Sequence, residues 1–104
     1  MSEDKQENDE VEEQPSDYSK VTVRFLPIGS VKKLKRSVIS VNGNQTFASL
    51  INYVKRQLNT ENSLFCYINT SFAPQLNTIL IDLSECYAIE GILNVSYCDT
   101  VAFG

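Results

Sequence analysis

The first regular alternation of apolar and polar positions in the chain begins at Lys20. Val21, Val23 and Phe25 alternate with Thr22 and Arg24, a period-two pattern that predicts a strand over residues 20–26 with one buried face. Pro27, Gly29 and Ser30 punctuate a turn. A second strand is expected over about residues 36–41, rich in β-branched side chains, and Asn42-Gly43-Asn44 breaks it. The period then changes. Phe47, Leu50, Ile51, Val54 and Leu58 recur at helical spacing, so residues 47–58 are expected to form a helix with a one-sided apolar stripe. Thr46 is suited to cap that helix, and Lys55 and Arg56 complement its dipole near the C-terminal end. A third strand over residues 64–68 would carry Leu64, Cys66 and Ile68 on one face, with Phe65 and Tyr67 on the other. Residues 69–78 read as a loop. Residues 79–86 are expected to be a brief strand or extended segment followed by a single helical turn. Leu93, Val95 and Tyr97, alternating with Asn94 and Ser96, mark a last strand over residues 92–97.

This order predicts an α+β fold, because four or five strands must bury one face against a single long helix. The ubiquitin-like β-grasp has the same order: a mixed sheet packed on one long helix, with the first hairpin and the last strand at its centre. In that arrangement the last strand leads directly into the C-terminal residues.

Composition divides the 104 residues into two parts. Residues 1–17 carry eight carboxylates against Lys5, and Val11 is the only aliphatic side chain of note. No apolar face is available there to offset ordering entropy, so a disordered acidic tail is expected, and residues 18–104 form the single domain. The net charge of −4 therefore misleads, because the domain holds eight basic and five acidic residues. Six of the basic residues fall between Lys20 and Arg36. Such a patch suits an acidic or phosphate-bearing partner, or is simply a solvated face. Cys66, Cys86 and Cys98 are odd in number and widely spaced, with no signal-peptide pattern and no membrane-length apolar run. A soluble protein of a reducing, intracellular compartment is expected, with the cysteines as small core hydrophobes.

The same residues exclude most catalytic chemistry. The chain has no histidine, which removes His-based acid–base catalysis, Ser-His-Asp triads and the commonest metal ligand. No C-x-x-C spacing suggests a zinc site, and Gly29, Gly43, Gly91 and Gly104 do not cluster into a phosphate-cradling loop. The domain's carboxylates are scattered, and Cys98 has no histidine to activate it. Basic residues do not interleave with aromatics as base-stacking surfaces require, so no nucleic-acid partner is expected. Neither a cofactor nor a metal is expected, and the chain reads as a non-enzyme that works through its surfaces or its ends. Gly104 is the candidate end. A carboxylate activated as an adenylate and passed between cysteines as a thioester must enter narrow channels in other proteins. A residue without Cβ leaves the acyl carbon open to attack and tolerates whatever backbone angle the channel imposes.

Two motifs carry a resemblance. Tyr67-Ile68-Asn69-Thr70-Ser71-Phe72-Ala73-Pro74 resembles the Y-[IV]-N-x-S-F-A-P signature of the autophagy-related protein 12 modifiers, and Tyr97-Cys98-Asp99-Thr100-Val101-Ala102-Phe103-Gly104 resembles that family's Y-C-x-x-x-A-[FW]-G ending. Phe25-Leu26-Pro27-Ile28-Gly29-Ser30 is similar to the first hairpin of fungal members, so the resemblance covers about residues 20–104. It implies that Gly104 is activated with ATP by an E1-like enzyme, passed to an E2-like enzyme and joined by an isopeptide bond to a lysine of autophagy-related protein 5. No processing protease is expected, since nothing follows Gly104. Phe103 would be the anchor read by the conjugation enzymes. The conjugate would bind a coiled-coil autophagy scaffold protein and act as an E3-like factor, recruiting the E2-like enzyme that attaches a second autophagy modifier to phosphatidylethanolamine. Phe72, with Lys20 and Lys35, would contact that E2-like partner, and Asn69 would hold the loop presenting Phe72. The implied location is cytoplasmic, and peripheral at the pre-autophagosomal membrane through the complex only. The alternative is a non-covalent ubiquitin-like binding module of the same complex.

Overall fold

The computed structural model describes residues 20–99. The expected acidic tail over residues 1–17, and Phe103 and Gly104, lie outside the described residues. Six elements follow one another: β1 (Lys20–Pro27), β2 (Val38–Asn42), α1 (Phe47–Leu58), β3 (Phe65–Ile68), α2 (Leu80–Tyr87) and β4 (Ile92–Cys98). The sheet order is β2-β1-β4-β3, with β1 antiparallel to β2, parallel to β4, and β4 antiparallel to β3. The first and last strands thus lie side by side at the centre, and the sheet is mixed.

The core follows from the alternation. Val21, Val23 and Phe25 of β1 and Leu93, Val95 and Tyr97 of β4 face the apolar stripe of α1, where Phe47, Leu50 and Val54 are buried. Each such side chain removed from water contributes roughly 1.5–3 kcal/mol. The Phe25 ring stacks on Tyr53 at 5.7 Å and meets Tyr97 edge-on at 6.4 Å, tying helix to both central strands. Thr46 holds an extended conformation and its hydroxyl accepts from the Ser49 N–H at 3.3 Å, so the expected N-cap is in place. Asn59 ends the helix in the left-handed region, its N–H donating back to the last turn.

One expectation fails. The sheet packs on two helices, because residues 80–87 form α2 in place of an extended segment with a single helical turn. Leu80 and Leu83 bury one side of it. Its first N–H groups are satisfied from elsewhere: Leu80 donates to the Gln45 carbonyl and Ile81 to the Gly43 carbonyl, both at 2.8 Å. These tertiary bonds take the place of a side-chain cap, which Ile79 cannot supply. The cysteine expectation also holds only in part, since Cys66 and Cys98 are buried while Cys86, on the outward side of α2, is exposed.

Candidate functional site: the Phe72 loop and the exit of the central strand

Phe72 sits behind a strained turn. The Ser71 N–H closes on the Ile68 carbonyl at 2.9 Å, and the two residues between, Asn69 and Thr70, have φ of 54° and 57°. Asparagine tolerates that conformation, but a β-branched threonine there costs about 1–2 kcal/mol. Three bonds hold the turn. The Thr70 and Ser96 hydroxyls meet at 2.7 Å, the Asn69 N–H donates to the Asn94 carbonyl at 3.0 Å, and the Asn69 amide Nδ2 donates to the Tyr87 carbonyl at 3.2 Å. The Asn69 Oδ1 is buried without a partner among the described residues. Asn69 therefore ties the loop to the end of α2, as its place in the motif suggested.

The turn delivers Phe72 to a half-buried position. Its carbonyl accepts from the Ile68 N–H at 2.7 Å, and its ring packs on the rim of the core and against Tyr87, with centroids 4.8 Å apart. Phe72 and Tyr87 line a cavity of about 380 Å³ with Pro74, Asp82, Leu83 and Cys86. Phe72 is thus both a rim of the core and a wall of an open groove. Tyr87 was absent from the sequence reading because α2 was. The apolar Leu80-Ile81-x-Leu83 run was the signal that could have exposed it.

Lys20 and Lys35 do not join this groove. Lys20 is exposed at the start of β1 and lines a separate cavity of about 440 Å³ with Tyr53 and Arg56. Lys35 is exposed in the segment between β1 and β2. That segment is pinned at Leu34, which is buried while its charged neighbours point outward.

The C-terminal side is organised by β4. This strand is bonded on both edges, leaves the sheet at Cys98, and passes to the exposed Asp99. Asp99 lines a cavity of about 300 Å³ with Val31, Lys32, Leu58 and Leu64. Burial pushes the Cys66 thiol up to about 12, with the neighbouring Cys98 adding to the effect, so Cys66 has no thiolate character near neutrality.

A family model described as the ubiquitin-like autophagy protein Apg12 matches residues 20–104, which takes in both motifs and Gly104. The chain belongs to this family. The ubiquitin-like protein ATG12 of Vanderwaltozyma polyspora is 41% identical over 85 residues, covering 82% of this chain. This chain spans only 40% of that relative's length. ATG12 of Oryza sativa subsp. indica is 33% identical over 89 residues, which cover 86% of this chain and 95% of that protein. Among solved structures, Trypanosoma brucei ATG8 superposes with a TM-score of 0.71 at 19% identity, covering 82% of this chain and 77% of that one. Plasmodium falciparum Atg8, solved in complex with an Atg3 peptide, gives 0.69 at 16% identity, covering 78% and 76%. At these identities the structures establish the ubiquitin-like fold.

Proposed function

We propose that the chain is a protein modifier, joined through Gly104 to a lysine of autophagy-related protein 5. The carboxylate of Gly104 attacks the α-phosphate of ATP in the E1-like enzyme, releasing pyrophosphate. A cysteine thiolate of that enzyme displaces AMP to give a thioester, which passes to the E2-like cysteine. The lysine amine then attacks the acyl carbon, forming the isopeptide bond and releasing the thiol. Every catalytic group belongs to the partners. The chain supplies the acyl group and the shape by which it is recognised, and Phe103 is the residue the channels grip.

The observation that supports this most is the position of β4. It is an interior strand, held on both sides, and its last residue, Cys98, stands six positions before Gly104 in the sequence. Once conjugated, the domain acts as an E3-like recruiter, with the groove at Phe72 and Tyr87 receiving the lipidating E2-like enzyme and Lys20 and Lys35 contributing charge. A neighbour of the same fold, Plasmodium Atg8, is complexed with an Atg3 peptide, which accords with peptide recognition on this scaffold. The complex works in the cytoplasm and at the forming autophagosomal membrane, held by its coiled-coil scaffold. No described helix is long and apolar enough to cross a membrane.

Reconstitution with ATP, the two enzymes and the target tests the linkage. Mass spectrometry is expected to find a target lysine bearing the Gly104 acyl group. A complex with intact lysines that dissociates in denaturant would favour the second reading, a non-covalent module, which the Phe72 groove on its own supports.

A further inference from the structure

The domain is concave where β4 ends. Asp99, the residue after β4, lines the cavity of about 300 Å³ together with Val31, Leu58 and Leu64. These three aliphatic residues come from three places in the chain: the segment between β1 and β2, the end of α1 and the approach to β3. Leu64 belongs to the core, and Val31 and Leu58 pack against it half-buried. Around them Ser30, Lys32, Ser63 and Asp99 are exposed. An apolar floor inside a polar rim suits the anchoring side chain of a partner protein. Small-molecule sites begin at about 300 Å³, so this cavity fits one large apolar side chain better than a free ligand.

Its walls are fixed before anything binds. The Tyr97 hydroxyl donates to the Lys32 carbonyl at 2.8 Å and accepts from the Leu34 N–H at 3.1 Å, and the Ile28 N–H donates to the Tyr97 carbonyl at 2.8 Å. Asn59 closes α1 in the left-handed region, and the Thr60 N–H donates to the Lys55 carbonyl at 3.1 Å. Phe65, next to Leu64, pairs with Cys98 of β4. A pocket held in this way loses little freedom when it is filled.

The reach of the chain relates this pocket to Gly104. Gly104 is five residues beyond Asp99. A chain spans at most about 3.6 Å per residue, so in any conformation Gly104 stays within about 18 Å of Asp99. A cysteine acylated by Gly104 obeys the same limit, and a domain of 100 residues already has a radius of gyration of about 13 Å. The channel around the thioester takes up part of the reach, which brings the enzyme's surface against this end of the domain.

The geometry points to this pocket as the docking site for an apolar side chain of the E2-like enzyme that carries Gly104 as a thioester. This rests on the conjugation reading and adds to it the contact that holds the domain on that enzyme. The E2-like thiolate attacks the acyl carbon of the E1-like thioester and releases the E1-like thiolate. The new thioester must then wait for the target lysine, and a second contact beside the tether keeps the domain in place meanwhile.

Reconstitution with ATP and the two enzymes, read one transfer at a time, tests it. Ser63→Trp and Ser30→Trp put an indole at the mouth of the pocket from two separate connections. Ser40→Trp, on β2 opposite Thr22, puts the same side chain elsewhere. The native chain has no tryptophan, so a blue-shifted fluorescence marks an indole that fills the pocket. Thermal unfolding identifies the variants that fold, and either blocking variant suffices. All are expected to load the E1-like cysteine at the native rate. Ser63→Trp and Ser30→Trp should then pass to the E2-like cysteine about ten-fold more slowly, and Ser40→Trp at the native rate. Native transfer by the blocking variants overturns the inference. Slowing already present at the E1-like step does so too, since the occupant would be that enzyme, as does equal slowing by Ser40→Trp. A native chain that forms no thioester fails the conjugation reading itself, and the inference falls with it.

Discussion

The Tyr97 hydroxyl stands 3.1 Å from the Leu34 backbone N–H, joining the central strand to the only buried side chain of the basic segment. The same oxygen donates to the Lys32 carbonyl at 2.8 Å. Tyr97 is therefore a latch as well as a core ring. Tyr97→Phe keeps the ring and leaves the buried Leu34 N–H unpaired, at a cost of about 1–3 kcal/mol. In a domain of this size each kcal/mol lowers Tm by about 4–8 °C. Thermal unfolding with hydrogen exchange checks it: exchange at Leu34 should quicken more than at Val54. Equal effects at both would mean the hydroxyl does not hold the segment.

Phe72 is expected to separate folding from recruitment. Phe72→Ala loses half-buried area and the Tyr87 contact, together about 1–2 kcal/mol of stability. Phe72→Leu keeps most of the apolar area and should unfold within about 1 kcal/mol of the native chain. If the groove receives the E2-like enzyme, the Leu variant still conjugates normally but binds that enzyme at least about ten-fold less tightly. Calorimetry on the conjugate measures this. Unchanged affinity in a folded Phe72→Ala variant would remove Phe72 from the contact.

The three cysteines should differ sharply toward a thiol reagent. Cys86 is expected to be modified in the native protein, and Cys66 and Cys98 only after unfolding. Alkaline pH follows from the same burial. The Cys66 thiol is raised to about 12 in the fold, from an ordinary value of 9.0, so above that ordinary value the unfolded chain releases a proton that the folded chain retains. Stability is then fully present below about pH 9 and falls between about pH 9 and 12. The Tyr97 hydroxyl, also raised chiefly by burial, acts in the same direction. Denaturant midpoints of the native chain and Cys66→Ala should converge as pH rises through this window. Parallel curves would contradict the assignment.

Much of this architecture was legible in the sequence because its signals are local. Val21, Val23 and Phe25 alternate at the strand period, and Phe47, Leu50, Ile51 and Val54 recur at the helical one, so β1 and α1 could be read directly. What escaped depended on distant partners. The first turn of α2 is satisfied by the Gln45 and Gly43 carbonyls, which no window around Ile79 contains. The Phe72–Tyr87 pair inherits that blind spot, because Tyr87 faces Phe72 only once α2 exists. Charge was visible as a run between Lys20 and Arg36, but its arrangement was not. A single inward Leu34 and a hydroxyl from β4 pin the segment around Lys32–Leu34 while its charged neighbours stay exposed, and Lys20 and Lys35 come to lie apart from the Phe72 groove.

Covalent transfer through Gly104 is the central claim, and comparing the full chain with a form lacking Gly104 in its native cells tests it most directly. Boiled, reduced samples are run on a denaturing gel. A species heavier by one target protein, present only with Gly104 and resistant to reductant, is the result predicted. If both forms run as free protein and support autophagy equally, the modifier account is wrong, and the domain acts by surface binding.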